Sequence, residues 1–388
     1  MTKKLIVGVA GSGAMGSGIA QVAATAGHPV ILYDTDSKAL EKARTGITKG
    51  FEKLIEKGKF TREESVAVLE AITFTDSPEA LGACGIVIEA IVEKLDAKKE
   101  LFRNIEKYVD ANCILATNTS SLPVVAVAAG CQSRSRVIGI HFFNPAVLMP
   151  LVEIIPAFTT DDHVVVTAKK LIDSWGKVTV LAKDTPGFIV NRIARPYYGE
   201  SIKMYEEGIA SIETIDWAMK EFGGFRMGPF ELMDFIGNDI NYKVTETVWE
   251  QMFYDPRYRP SLTQKRLYEA GLFGKKSGRG YYKYNDGAEV TAPDKNEIKG
   301  KYIFNRVLAM LVNEAADALY MNIATAEDIE KAMQKGVNYP KGLLQWADEI
   351  GIEKILAELN QLHNDYCDDR YRPSLLLKKM HAEKRKFF

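Results

Sequence analysis

The sequence predicts an N-terminal α/β domain with a mainly parallel sheet, followed by two tandem all-α domains. Up to about residue 184, short apolar segments alternate with amphipathic ones, as strands alternate with helices. Beyond Asp184-Thr185-Pro186-Gly187, the pattern is one of helices and loops without a run of strands. Several motifs of this second part occur twice. We therefore predict domains at residues 1–184, 185–284 and 297–388.

The bulk composition favours small-molecule chemistry. The 388 residues carry a net charge of −1, which provides no field that would attract nucleic acid or an anionic membrane. No run of about 18 apolar residues is present, so we expect no membrane span. The four cysteines lie far apart without a CxxC pair, which argues against a metal site or disulfides. We expect a cytoplasmic protein whose partners are small molecules and protein subunits.

The N-terminal segment has the pattern of a Rossmann-like dinucleotide site. A short apolar strand, Leu5 to Ala10, leads into a glycine-rich turn, a helix over 17–27 and a second strand over 29–34. We interpret the apolar start as this first strand and not as a signal peptide. The turn consists of Gly11, Ser12, Gly13, Ala14, Met15 and Gly16.

The residues of this turn suit a bound dinucleotide. Gly11 permits the tight turn, Gly13 lets the backbone approach a pyrophosphate, and Gly16 allows close packing of helix on strand. The amides and dipole of the first helical turn attract phosphate. Asp34 ends the second strand, where its carboxylate suits ribose hydroxyls and repels a 2′-phosphate. The pattern predicts NAD rather than NADP; an empty βαβ turn is the alternative.

A helical excursion and further strands follow. Two charged amphipathic helices are predicted over 36–72, separated near Gly58-Lys59-Phe60 and restarted by a capping box of Thr61 and Glu64. Strands are predicted at 86–91, 114–117, 136–142, 151–155 and 178–182, with helices between them, notably at 94–109 and 161–175.

The second part of the chain contains an internal repeat. Phe188 to Arg192 recurs as Tyr302 to Arg306, 114 residues later, and Ile215 to Met219 recurs as Ile329 to Met333 at the same offset. The same offset relates Gly237 to Gly351, and Tyr258-Arg259-Pro260-Ser261-Leu262 recurs as Tyr371-Arg372-Pro373-Ser374-Leu375, one residue closer. We therefore predict a duplicated helical domain, with residues 285–300 as its linker. Residues 185–284 are called the first copy below, and 297–388 the second copy.

One histidine is placed as a candidate base. Hydride transfer from an alcohol to NAD needs a base for the hydroxyl proton, and histidine suits this role. Only His141 closes a strand of the predicted sheet near its carboxyl end, where such folds bind ligands. The other histidines lie at a helix end, in a polar turn or in the second copy: His28, His163, His363 and His381. A purely structural His141 is the alternative.

A carboxylate follows on the next predicted strand. Glu153 lies in the apolar segment Val152 to Ile155, where a charge is costly unless it is paired. Pairing with His141 would fix the imidazole tautomer and stabilise an imidazolium. We therefore predict this pair; an ion pair of Glu153 with a surface lysine is the alternative.

A polar cluster, Thr117-Asn118-Thr119-Ser120-Ser121, follows the strand at 114–117. We expect at least one of its hydroxyls to cap the next helix and a second one to face the substrate.

Several motifs, in order along residues 1–284, resemble the L-3-hydroxyacyl-CoA dehydrogenase family. Besides the glycine turn, they are Glu89-Ala90-Ile91-Val92-Glu93, Asn118-Thr119-Ser120-Ser121-Leu122, His141-Phe142-Phe143-Asn144-Pro145, Asp184-Thr185-Pro186-Gly187-Phe188-Ile189-Val190-Asn191-Arg192, Met227-Gly228-Pro229-Phe230-Glu231-Leu232 and Gly274-Lys275-Lys276-Ser277-Gly278-Arg279-Gly280-Tyr281-Tyr282. The helix pair at 36–72 also resembles the family's excursion, which contacts CoA.

The resemblance implies reversible NAD-linked oxidation of an L-3-hydroxyacyl-CoA to the 3-ketoacyl-CoA. It implies that His141 is the general base with Glu153 as its partner, and that Ser120 and Asn191 hold the substrate. Asn144 is implied to lie near the nicotinamide and the reacting centre. The implied cofactor contacts, alongside the glycine turn, are Asp34, Glu93, Lys98, Ser120, Asn144 and Lys276. Lys57 resembles the basic residue that reaches the CoA phosphates; a solvated helix charge is the alternative.

Two departures from the family keep other hypotheses open. Gly50 stands where relatives often carry a hydroxyl toward CoA, so a dehydrogenase of a free hydroxy acid or sugar acid is one alternative. A catalytically idle NAD-binding structural protein is another, although the intact site residues speak against it. The second copy extends beyond the two-domain form, in which the helical domain makes a dimer. It could imitate that dimer within a monomer, with Asn305 as a relic of Asn191, or the protein could be a homodimer.

Overall fold

The computed structural model describes residues 4–285, 287 and 291–388. The chain forms two compact units, residues 1–185 and 186–388. Part of the predicted linker, residues 286 and 288–290, lies outside the described residues, as do the first three residues. The first unit is an α/β domain and the second is helical, so the predicted fold class is confirmed.

The first unit is built on one sheet of eight strands in the order β3-β2-β1-β4-β5-β6-β7-β8. All neighbouring strands pair in parallel except β6 and β7, which are antiparallel. The strands are β1 Val7–Ala10, β2 Val30–Tyr33, β3 Ile72–Thr75, β4 Ile86–Glu89, β5 Ile114–Thr117, β6 Val137–Phe142, β7 Leu151–Pro156 and β8 Val178–Leu181. The strand order reverses at β1 and β4, and such sheets bind ligands beyond the carboxyl ends of the strands at this point.

Helices cover both faces of this sheet. They are α1 Ala14–Thr25, α2 Ser37–Glu56, α3 Arg62–Glu70, α4 Leu95–Ile105, α5 Val124–Ala128 and α6 Asp162–Ser174. The predicted capping box of α3 is confirmed: the Thr61 hydroxyl accepts from the Glu64 amide at 3.1 Å, and the Glu64 carboxylate accepts from the Thr61 amide at 2.8 Å.

Two local predictions were wrong. The predicted helix pair extends to residue 72, and no strand is predicted after it, but Ile72–Thr75 forms strand β3. It pairs with only one neighbour and buries only Ile72, so its sequence lacks the apolar run of a central strand. Helix α1 begins at Ala14, inside the glycine turn, because Gly13 already serves as its N-cap.

The second unit contains helices that correspond between the two copies. In chain order they are α7 Val190–Ile193, α8 Arg195–Glu206, α9 Ile212–Gly223, α10 Pro229–Ile236, α11 Asn238–Gln251, α12 Leu262–Glu269, α13 Glu297–Tyr320, α14 Ala326–Gly336, α15 Leu343–Ile350, α16 Ile352–Tyr366 and α17 Leu375–Ala382. At the 114-residue offset, the continuous helix α13 matches the pair α7 and α8. Pro196 lies near the start of α8, where Met310 continues α13, and a proline interior to a helix would interrupt it.

Two buried ion pairs join the copies reciprocally. Arg192 of the first copy donates to Glu314 at 2.5 Å, and Arg306 of the second copy contacts Glu200 at 2.6 Å. Since 306 and 192 differ by 114, as do 314 and 200, each pair is the image of the other. Both carboxylates are completely buried. This reciprocity is the signature of a self-complementary, two-fold contact.

Tyrosine and arginine side chains complete each pair in the same reciprocal manner. The Tyr258 hydroxyl donates to Glu314 at 2.6 Å, and its counterpart Tyr371 donates to Glu200 at 2.8 Å. The two copies therefore share one polar core at the contact between them. In the described part of the chain, none of the helices has the length and hydropathy needed to cross a membrane.

Candidate active site

The glycine turn has the shape that a dinucleotide requires. Gly11 has a φ of 106°, and a Cβ there would stand 2.7 Å from the Ala90 carbonyl oxygen. A Cβ on Gly16 would stand 1.7 Å from the Gly11 carbonyl oxygen, whereas nothing lies within 4 Å of a Cβ on Gly13. The turn is thus closed on its inner side and open above Gly13, as the approach of a pyrophosphate demands.

Asp34 lies beside this turn. Its carboxylate accepts from the Ser12 amide and the Ser12 hydroxyl, both at 2.7 Å. The glycine turn and the acidic end of β2 are therefore brought together as predicted. Ribose hydroxyls are further donors that such a carboxylate can accept, so these residues fit NAD.

His141 and Glu153 face each other on neighbouring strands. They are direct partners in the antiparallel register of β6 and β7, and Nδ1 of His141 lies 2.7 Å from Oε2 of Glu153. His141 is 5% exposed and Glu153 is fully buried. The predicted pairing is confirmed, because the antiparallel strand brings the carboxylate to the ring.

Asn118 fixes the strand that carries His141, a contact that the sequence reasoning missed. Its side-chain oxygen accepts from the backbone amide of Phe142 at 2.8 Å, and its backbone amide donates to the backbone carbonyl of Glu89 at 2.8 Å. Asn118 thus ties together the carboxyl ends of β4, β5 and β6. Its position directly after β5 was the available signal.

A buried charge cluster lies at the ends of β4 and β5. The Lys98 ammonium stands 2.6 Å from Glu89 and 3.1 Å from Glu93, and only 1% of Lys98 is exposed. Glu89 also accepts from the Thr117 hydroxyl at 2.7 Å. The structure therefore places Lys98 between two carboxylates and beneath the surface of the site.

Glu93 organises the turn after β5. It accepts from the Ser120 amide at 2.9 Å and from the hydroxyls of Thr119 and Ser121 at 2.5 and 3.2 Å. Burial disfavours the Glu93 carboxylate, but the Lys98 ammonium and these hydrogen bonds hold its pKa below the ordinary value. An ionised Glu93 thus fixes the backbone that presents Ser120.

The expected cap of the helix after this turn was assigned to the wrong residue. The first amides of α5, those of Val124 and Val125, donate to the carboxylate of Asp184 at 2.9 and 2.8 Å. The Thr119 hydroxyl accepts from the amides of Ser121 and Leu122 at 3.3 and 2.9 Å, before the helix begins. Burial raises the pKa of Asp184, although both amides favour its charged form. Asp184 is 60 residues from Val124, so no local pattern could have indicated the contact.

The loop that carries Asn144 is held from two sides. The Lys177 ammonium donates to the carbonyls of Ala146 and Met149 at 2.5 and 2.8 Å. On the other side, a Cβ on Gly18 of α1 would stand 3.1 Å from the Cβ of Ala146, so only glycine leaves comfortable room there. Sequence reasoning singled out Asn144 but neither of these supports.

The remaining candidates are Lys57 of the first unit and Asn191 and Lys276 of the second unit. Lys57 is exposed at the end of α2, and a Cβ on Gly50 would meet nothing within 4 Å, so crowding does not explain the missing hydroxyl. Asn191 lies in α7 of the second unit. Lys276, also in that unit, forms an ion pair with Asp239 at 2.6 Å.

Comparisons with known proteins identify the family of this chain. The family model described as 3-hydroxyacyl-CoA dehydrogenase, NAD binding domain, matches residues 6–185, and the model of the C-terminal domain of the same family matches residues 187–284 and 302–386. The second match covers both helical copies.

Relatives match over most of the chain. The chain is 36% identical to the 3-hydroxyadipyl-CoA dehydrogenase of Escherichia coli K12 over 96% of each protein. It is 41% identical to the mitochondrial hydroxyacyl-coenzyme A dehydrogenase of Sus scrofa, over 73% of this chain and 93% of that one. A crystal structure of 3-hydroxybutyryl-CoA dehydrogenase from E. coli K12 superposes with a TM-score of 0.93 at 34% identity, covering 99% of both chains. The chain therefore belongs to the 3-hydroxyacyl-CoA dehydrogenase family, and it is an NAD-dependent oxidoreductase of 3-hydroxyacyl-CoA thioesters.

Proposed function

We propose that His141 is the general base of this oxidation. The buried 2.7 Å contact between His141 and Glu153 is the observation that supports the proposal. Because Glu153 occupies Nδ1, the proton of the substrate's 3-hydroxyl goes to Nε2. The Glu153 carboxylate then stabilises the resulting imidazolium. Bound NAD supplies the hydride acceptor.

The glycine turn and Asp34 hold the cofactor in this proposal. The turn's residues Gly11, Ser12, Gly13, Ala14, Met15 and Gly16 bind the pyrophosphate, and Asp34 binds the ribose. Glu93, Ser120, Asn144 and Lys276 are further cofactor contacts. Lys98 acts through Glu93, since its ammonium is buried between Glu89 and Glu93.

Ser120 and Asn191 hold the reacting end of the substrate, and Lys57 binds the CoA phosphates. The fixed Ser120 backbone and the exposed Lys57 ammonium support these roles. The names of the E. coli relatives differ in the acyl group: hydroxybutyryl is neutral at its far end, whereas hydroxyadipyl ends in a carboxylate. We include both among the candidate substrates.

An assay of NADH absorbance with acetoacetyl-CoA tests the proposed reaction. We expect rapid, enzyme-dependent NADH oxidation with acetoacetyl-CoA and at most a trace with free acetoacetate. A preference for free acetoacetate would favour a dehydrogenase of free acids. Absence of turnover with either compound, in a protein that still binds NADH, would favour the idle structural protein.

We further propose that the protein is a monomer whose second copy takes the place of a dimer partner. The reciprocal pairs Arg192–Glu314 and Arg306–Glu200 support this assembly, as does the complete burial of both carboxylates. Domains at 1–184, 185–284 and 297–388 form part of the proposal. Light scattering should give a mass near 43.2 kDa. A stable dimer over a wide concentration range would contradict it.

We also propose a cytoplasmic location. The four cysteines are free thiols, three of them buried, as suits a reducing compartment. Cell fractionation with a tagged chain tests this location, and recovery outside the cytoplasm would overturn it.

A further inference from the structure

Arg195 is a buried cation in the first turn of α8. Only 6% of the residue is exposed. Its Nε donates to the backbone carbonyl of Asn191 at 2.8 Å, and Nη1 donates to the Thr245 hydroxyl at 2.9 Å. The guanidinium carbon lies 5.0 Å from the centre of the Tyr198 ring. Its observed partners are therefore all electrically neutral.

The other buried arginines of this unit all have carboxylates. Arg192 and Arg257 contact Glu314, and Arg306 contacts Glu200. In the described part of the chain, no carboxylate lies within ion-pair distance of Arg195. Burial lowers the pKa of Arg195, the direction expected of a cation with neutral partners. Burying a charge without a counter-charge costs free energy. An anion that binds beside Arg195 would therefore offset part of this cost.

A second unsatisfied group accompanies this arginine. The Tyr339 hydroxyl is buried without a hydrogen-bond partner among the described residues. Burial raises the pKa of Tyr339, and the positive charge of Arg195 acts in the opposite direction. Buried polar atoms are seldom left without partners unless a ligand or water completes them. Of the five N–H groups of the guanidinium, two make hydrogen bonds to described residues. The remaining three suffice for a bidentate carboxylate.

The second copy carries no arginine at the corresponding position. At the 114-residue offset, Asn191 matches Asn305 and Arg192 matches Arg306, but Arg195 matches Ala309. Ala309 is fully buried in α13. The same place in the same helical scaffold therefore accepts a methyl group. The charge is specific to the copy that carries the substrate residue Asn191.

We propose that Arg195 binds the terminal carboxylate of a 3-hydroxyacyl-CoA whose acyl chain ends in a carboxylic acid. This inference rests on the proposed function, in which Asn191 holds the reacting end. The Arg195 guanidinium reaches back to within 2.8 Å of the Asn191 carbonyl oxygen, so it lies beside the residue that holds the reacting end. In a six-carbon diacid thioester, three bonds of about 1.5 Å separate C3 from the far carboxyl carbon. A chain this short requires that the groups holding C3 and the carboxylate be neighbours, as Asn191 and Arg195 are.

The experiment compares two substrates in the NADH assay, acetoacetyl-CoA and 3-oxoadipyl-CoA. The measured quantity is the ratio of kcat/KM for 3-oxoadipyl-CoA to that for acetoacetyl-CoA. Arg195→Met should lower this ratio about 30-fold, which corresponds to about 2 kcal/mol. Arg195→Lys should retain part of the preference for 3-oxoadipyl-CoA, since the positive charge remains. Arg266→Met is the matched control: this exposed arginine lies in the same unit, and its loss should leave the ratio unchanged.

Each outcome separates the inference from the proposed function. The carboxylate site would be overturned if the wild type reduced acetoacetyl-CoA but not 3-oxoadipyl-CoA. It would also be overturned if Arg195→Met lowered kcat/KM equally for both substrates. Neither result would contradict the proposed dehydrogenase activity. The latter result would make Arg195 a structural support of Asn191. No turnover of either substrate by the wild type would refute the proposed function itself.

A second measurement needs no variant, in case Arg195→Met fails to fold. Adipyl-CoA and hexanoyl-CoA have the same chain length and differ only in the terminal carboxylate. As inhibitors of the wild-type enzyme, adipyl-CoA should bind at least about 10-fold more tightly, and added salt should narrow the difference. Equal inhibition would overturn the inference.

Discussion

The two helical copies share one reciprocal contact but differ in the surroundings of the residue that we propose to hold the substrate. Arg192 and Glu200 of the first copy exchange ion pairs with Glu314 and Arg306 of the second. Asn191, by contrast, lies in α7 and is the residue that we propose to hold the substrate, whereas its counterpart Asn305 is exposed on α13. The buried contact constrains both copies equally, because each buried charge depends on the other copy. The substrate role constrains only one of them.

Substitutions in the polar core between the copies should have the largest effect, on the free energy of unfolding. Glu314→Ala should lower the free energy of unfolding by about 3–5 kcal/mol, because Arg192 and Arg257 would lose their buried carboxylate. Glu200→Ala should cost a similar amount, since it leaves Arg306 unpaired. Urea unfolding measures both.

Glu297→Ala is the control for this pair, because Glu297 lies on the same helix α13 but is exposed in its ion pair with Lys301. It should change the free energy of unfolding by less than about 0.5 kcal/mol. If Glu314→Ala behaved like this control, the polar core would not hold the copies together.

Substitution of the proposed substrate residue Asn191 should have the next largest effect. Asn191→Ala should lower kcat/KM for acetoacetyl-CoA by roughly 100-fold, about 2.7 kcal/mol, because a positioning contact is lost. Asn305→Ala removes the same side chain from the second copy and should stay within about twofold of the wild type. Equal losses in the two variants would contradict the division of roles between the copies.

Acid should weaken the contact between the copies progressively. Burial disfavours ionised Glu314, yet Arg192 and Arg257 hold its pKa below the ordinary value of 4.5. A carboxyl group with a lowered folded pKa contributes stability that is present above its unfolded pKa and is lost as pH falls through the folded one. Unfolding free energy measured below pH 4.5 should therefore fall by up to about 1.4 kcal/mol per pH unit from this group. Glu314→Gln should flatten that slope, and an unchanged slope would assign the acid sensitivity to other groups.

The sequence predicted those features whose causes are local or periodic. Strand β5 was placed at its observed residues, and the Thr61–Glu64 capping box was recognised because both partners lie within one turn. The pairing of Glu153 was inferred from the cost of a charge in an apolar strand. The edge strand β3 was missed, because a half-exposed segment of four residues carries little apolar signal.

Contacts between distant residues were beyond sequence reasoning. Asp184 caps α5 across 60 residues, and Lys98, for which the resemblance implies a cofactor contact, is buried between two carboxylates. Arg195 did carry a signal, since it stands at the position of an alanine in the repeat. The sequence does not show that Arg195 lacks a carboxylate partner, because this depends on the three-dimensional packing of the described residues.

The most direct test of the account is the His141→Ala variant in the acetoacetyl-CoA assay, together with NADH binding by fluorescence. Loss of a general base typically costs about 10²–10⁴-fold in rate. We expect a decrease in kcat of this size with NADH affinity within about threefold of the wild type, because the glycine turn and Asp34 are untouched. A variant that kept near-normal turnover would contradict the central claim that the His141–Glu153 pair moves the substrate's proton.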